Sequence, residues 1–127
     1  MEIKIELPIY FKTSTLKQKL VGMNWYRNAH YQEETAIKKY YHRLIASLLP
    51  AAKPHITGNV KMRYTLYYKN SQSDLMNVVS VIDKYVMDAL QESKIIENDN
   101  VLNYRQCEIK VAGQDKKNPR LVCELVA

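Results

Sequence analysis

Two hydrophobic periods alternate along this chain, and together they leave few architectures open. Apolar side chains fall on every second position in Glu2–Leu7, Asn59–Tyr68, Cys107–Val111 and Leu121–Leu125. In Glu33–Leu49, and from Asp74 to about Glu92, they recur every three or four positions. A period of two sends successive side chains to opposite faces of a strand, whereas a period near 3.6 draws one apolar stripe along a helix. The order strand, helix, strand, helix, strand, strand predicts an α+β fold, a four-stranded mixed sheet with two helices on one face. The uncovered face is then free for a partner subunit or for DNA. A chain of 127 residues suits one domain, 1–127, and no repeat or linker divides it.

Punctuation between these segments is clear in places. Pro8 is expected to end the pairing of the first strand, and Pro50 to stop the first helix. Asn70–Ser73 reads as a polar turn, and Asp74 after it is placed to cap the second helix. Gly113–Pro119 carries Gly, Asp, Asn and Pro, so the two last strands are expected to form a hairpin. Lys12–Tyr31 shows no clean period and reads as a long irregular loop with cations and aromatics. Such a loop suits either a phosphate backbone with exposed bases or, the reading favoured for Trp25, anchorage to the core. His42 sits among Lys38, Lys39 and Arg43 on the helix's other faces, which serve phosphates or solvent equally well.

Charge narrows the choice of partner. Nineteen Lys and Arg against thirteen Asp and Glu leave a net +6, which favours a polyanion, nucleic acid first and an anionic membrane second. Lys12, Lys17, Lys19, Arg27, Lys61 and Arg63 are the candidate phosphate contacts. The outer face of the second strand, with Lys61, Arg63, Thr65 and Tyr67, suits a nucleic-acid platform or an ordinary exposed sheet. Cys107 and Cys123 lie in strand-like stretches outside any CxxC pair and read as two free, buried thiols in a reducing compartment. No Cys/His cluster has zinc spacing. No apolar run reaches the roughly 18 residues of a membrane span, and the charged, alternating start is unlike a signal peptide. A cytoplasmic location is expected.

No P-loop, dinucleotide fingerprint or nucleophile elbow is present. What remains is a carboxylate set, with Asp74 before the second helix and Glu97 and Asp99 after it. Carboxylates are hard ligands suited to Mg²⁺ or Mn²⁺. Such an ion can activate water and stabilise a phosphate under attack. Acids at helix caps and in turns are also commonplace structural features.

The stretch Ser73–Val101, SDLMNVVSVIDKYVMDALQESKIIENDNV, resembles the RusA-type Holliday junction resolvases common in phages and prophages. Their pattern opens a helix with Asp-x-Asp-Asn, continues with a helical Asp-Ala-Leu, and ends in a paired-acid turn before a strand. Asp74 and Asn77 match the first element, Asp88, Ala89 and Leu90 the second, and Ile96, Asn98 and Asp99 the third. The Asn24-Trp25-Tyr26-Arg27 loop and the late strands also fit. The resemblance covers most of the chain, and its specific part covers about a quarter. It implies a homodimeric, Mg²⁺- or Mn²⁺-dependent endodeoxyribonuclease of DNA recombination and repair, with Asp74 and Asp99 catalytic and Glu97 a further ligand.

Three departures stand against it. Met76 replaces the second Asp, Ser80 a Lys, and Asn98 the first of the paired acids. A thioether is too soft to hold Mg²⁺. A helix from Asp74 to Glu92 spans about 27 Å, so Asp99 meets Asp74 only if the loop doubles back, or across a twofold axis. The alternative is a weakened relative that binds branched DNA without cutting it. An RNA-binding module fits less well, for want of an aromatic RNP-type strand.

Overall fold

A computed structural model describes residues 2–13, 15–71 and 74–126. The elements run β1 (Glu2–Pro8), β2 (Tyr10–Lys12), β3 (Gln18–Leu20), α1 (Met23–Asn28), α2 (Tyr31–Leu48), β4 (Val60–Tyr68), α3 (Leu75–Glu92), β5 (Tyr104–Gln114) and β6 (Arg120–Val126). Gln72 and Ser73, the end of the expected polar turn, lie outside the described residues. The α+β class holds. One mixed sheet has the order β1-β6-β4-β5, and a two-stranded ribbon pairs β2 with β3.

Alternation explains the layers. Ile3, Ile5 and Leu7 of β1, Met62, Tyr64 and Leu66 of β4, and Leu121, Cys123 and Leu125 of β6 are buried. They share the core with Tyr41 and Ile45 of α2 and with Val78, Ile82, Tyr85 and Val86 of α3. Lys4, Glu6, Arg63 and Glu124 point to the other face, where Thr65 and Val122 pair across β4 and β6 and are themselves buried. The helices therefore cover one face, as the sequence predicts.

Three expectations need correction. The last two strands do not form a hairpin, because β4 lies between β5 and β6, parallel to the first and antiparallel to the second. β4 buries the most side chains along its length and takes a central position, whereas β5 is largely exposed and sits at the edge. The turn after Gln114 instead crosses the end of β4, where the Asp115 amide donates to the Tyr68 carbonyl at 2.8 Å. Residues 12–31 are not one irregular loop, since they hold the β2–β3 ribbon and the short α1. Both cysteines are free, but only Cys123 is buried; Cys107 is exposed on the edge strand.

Helix ends follow local chemistry. His30 accepts the Gln32 amide and starts α2 two residues before the expected Glu33. Pro50 restricts the residue before it, and α2 ends at Leu48. Lys94, in the left-handed region, turns the chain after α3, and the Ile95 amide reaches the Leu90 carbonyl at 3.0 Å. His42 bonds to Glu92 at 3.0 Å, a tie between α2 and α3. Among the described residues, no helix is long and apolar enough to cross a membrane.

Ile82 is fully buried between α3 and the sheet. Ile82→Ala should cost about 2–5 kcal/mol, read as a lowered urea midpoint with an unchanged slope.

Candidate functional site

β1, β4 and β5 run in the same direction, since β1 and β4 are both antiparallel to β6 and β5 is parallel to β4. Their C-terminal ends therefore meet at one end of the sheet. The ribbon continues from β1 there, α3 begins after β4, and the 115–119 turn follows β5. Side chains knit these parts together. Lys69 donates to Gln18 of β3 at 3.0 Å and lies over the Tyr10 ring, and Gln114 donates to the Lys69 carbonyl at 3.0 Å. Asn77, in the first turn of α3, accepts the Asn24 amide at 3.1 Å and so docks the start of α1. A Cβ on Gly22 would collide with that Asn77 amide, which is why the close approach uses glycine.

The candidate cations divide between two places. Lys12, Lys17 and Lys19 lie on the ribbon and its turn, against the first half of α2, with Lys19 3.5 Å from Glu33. Arg27 is exposed on the last turn of α1. Lys61 and Arg63 lie on the uncovered sheet face, bound to Glu108 of β5 at 3.0 and 3.1 Å. The two cations hold that carboxyl below its usual range, Lys61 first. Sequence reasoning passed over Lys69, Lys116 and Lys117, which stand at the ribbon end. The last two are exposed, and only the crossing of the 115–119 turn over β4 brings them there.

The acids are spread along α3. Asp74 is the residue before its first turn, exposed and making no side-chain capping bond, so the expected capping role is not performed by its carboxylate. Asp99 lies beyond the other end, just before Asn100, whose carbonyl receives the Tyr104 amide at the start of β5. Glu97 turns to His55, 3.6 Å away. The 18 residues of α3 lie between Asp74 and Asp99 in the chain, and the loop after the helix brings Asp99 near enough to Asp83, midway along it, for the two charges to interact. Among the described residues, no group of three His, Cys, Asp or Glu side chains is placed to hold a metal. Asp74, Glu97 and Asp99 therefore do not fit a divalent ion together in one copy of the chain.

Midway along the same helix, Asp83 accepts hydrogen bonds from the hydroxyls of Tyr64 and Tyr104, the latter at 2.9 Å. Burial raises its pKa, the two tyrosine bonds pull it back, and the charge of Asp99 adds to the rise. It lines a cleft of about 520 Å³ between α3 and β5, with Met76, Ser80 and Arg105 at its walls. The helical pattern places Asp83, but its importance comes from two tyrosines on separate strands. Trp25 packs edge-on against Phe11 with ring centroids 5.1 Å apart, which supports anchorage over base stacking.

No protein-family model matches the chain, and no curated protein matches it.

The raised pKa of Asp83 has a definite sign in stability. The unfolded chain gives up this proton at lower pH than the folded one, so ionisation favours unfolding as pH climbs between the two values. Asp83→Asn keeps an oxygen for both tyrosines and removes that loss. Relative to the parent, the variant should gain stability as pH rises from below the ordinary aspartate range to above the raised value, measured by urea denaturation across a pH series. A difference constant with pH would contradict the assignment.

Proposed function

We propose that this protein is a Holliday junction resolvase, a structure-selective endodeoxyribonuclease that acts on four-way DNA as a homodimer. The observation that carries the reading is the gathering of Lys69, Lys116, Lys117 and the ribbon lysines at the sheet end where Asp74 opens α3. Cations on a ribbon, a turn and a strand end offer several phosphate contacts from different directions, as crossed duplexes require. Asp74, the residue before α3, is solvent-exposed and free of a side-chain capping bond. The resemblance in Ser73–Val101 supplies the reaction class.

Within one copy, among the described residues, Asp74, Glu97 and Asp99 do not form a group that could hold a metal. The reading therefore needs Asp74 of one copy beside Asp99 of its partner, giving two equivalent sites related by a twofold axis. That symmetry suits a junction in which two opposed strands are cut. Magnesium or manganese would be shared between the copies. The free thiols suit a reducing compartment, such as the cytoplasm.

A second reading, binding of branched DNA without cleavage, is favoured by Met76. This side chain is 52% exposed in the first turn of α3, where the resolvase pattern has a carboxylate.

Two experiments test these statements. Asp74→Asn and Asp99→Asn should each abolish cleavage of a synthetic four-way junction in Mn²⁺. Mixing the two variants should restore nicking at one strand, because one composite site in the heterodimer is intact. Binding without nicking by the parent chain would leave the second reading, and a mixture as inactive as each variant would remove the shared site. Separately, Lys69→Ala, Lys116→Ala and Lys117→Ala should each weaken junction binding and lower the salt slope by about 1, measured by fluorescence anisotropy across a salt series. Unchanged slopes would move the DNA elsewhere.

A further inference from the structure

β5 lies at one edge of the four-stranded sheet. It is 11 residues long, and among the described residues its strand neighbour is β4 alone. Such an edge exposes a row of unpaired amides and carbonyls, which proteins usually shorten, cover, or blunt with proline, bulges or charged side chains. The opposite edge, β1, is shorter and ends at Pro8. β5 has no proline, and its apolar positions Cys107 and Val111 are exposed, Val111 by 49%.

The register with β4 defines the usable run. Val60 pairs with Tyr104 and Lys61 with Gln106, so Arg105 bulges; Leu66 pairs with Val111 and Tyr67 with Gly113, so Ala112 bulges. Between the bulges the strand alternates cleanly. Cys107, Ile109 and Val111 face the helix side, whereas Glu108 and Lys110 face the open side.

We infer that two copies join antiparallel through β5 about a twofold axis at Ile109, making one continuous eight-stranded sheet. This register sets Glu108 against the partner's Lys110 on both sides of the axis, and Cys107 against the partner's Val111. Moving the axis one position either way puts Glu108 against its own copy, or Lys110 against its own copy, and like charges directly opposite are destabilising. The same pairing extends an apolar strip of Cys107, Ile109 and Val111 across the axis, beside the cleft under α3. The charge pattern and the apolar strip thus select one occupant, a second copy of this chain.

The edge pairing stands on the strand alone, but its consequence for the acids rests on the resolvase reading. In an antiparallel pair the start of the partner's β5 lies beside the end of β5. The loop carrying the partner's Asp99 then comes to the end of the sheet where Asp74 opens α3. One strand pairing would supply both the dimer and the meeting of acids that one copy keeps apart.

The test uses the full chain. Ile109→Cys in a Cys107→Ser background should form a covalent dimer on mild oxidation, seen on a non-reducing gel, with little cross-linking at an exposed control such as Thr57→Cys. Lys110→Glu should weaken the dimer about tenfold by sedimentation equilibrium, with circular dichroism unchanged. A protein that stays monomeric, or a dimer that neither cross-links through position 109 nor responds to Lys110→Glu, would overturn the pairing. A dimer that cross-links as stated and leaves four-way junctions uncut would uphold the pairing and overturn the resolvase reading.

Discussion

The seating of α3 against β4 is the constraint on which the remaining features depend. α3 buries one broad face, with Val78, Ile82, Tyr85, Val86 and Leu90 all nearly inaccessible, and the strand beneath it buries Met62, Tyr64 and Leu66. At about 1.5–3 kcal/mol for each large apolar side chain, this contact dominates the core. It makes β4, α3 and β5 a unit in which two parallel strands are joined by a helix running back along them. That unit sets Asp74 before α3 and Asp99 in the loop after it. It also places Asp83 under Tyr64 and Tyr104, and leaves β5 at the margin of the helical cover.

Much of this organisation is legible from spacing. The alternations of β1, β4 and β6 and the helical stripes of α2 and α3 appear in the sequence because each element buries one side. Strand order is less visible, since it depends on which strand buries most. The Gly- and Pro-rich turn after β5 signals a local reversal, and a hairpin is its simplest form. The long-range demand of β4 for two neighbours prevails, so the turn becomes an arch across the end of β4. The six-residue α1 is too short to show a period, and its place is set by the contact of Gly22 and Asn24 with Asn77. Cys107 follows a buried strand's alternation but lies at the edge, beyond the helices.

The candidate site divides along the same line. Asp74, Glu97 and Asp99 can be named from residue type, but their separation follows from the length of α3 and the position of β5. Lys61 and Arg63 are cationic in sequence, and their shared bond to Glu108 is a cross-strand fact. Lys69, Lys116 and Lys117 belong to unrelated segments that only the sheet topology assembles. On the resolvase reading proposed above, Asp74 and Asp99 have to come from two copies to form one site. Twofold pairing through an open edge would complete it with no change in the fold of either copy.

The most direct measurement compares affinity for a four-way junction with affinity for a linear duplex of the same arm sequence, at low salt and without divalent ions, so that binding is separated from cleavage. The proposed resolvase reading predicts distinctly tighter binding to the junction, with a stoichiometry of two chains per junction. Equal affinity for the two DNAs, or no binding to either, would contradict the account.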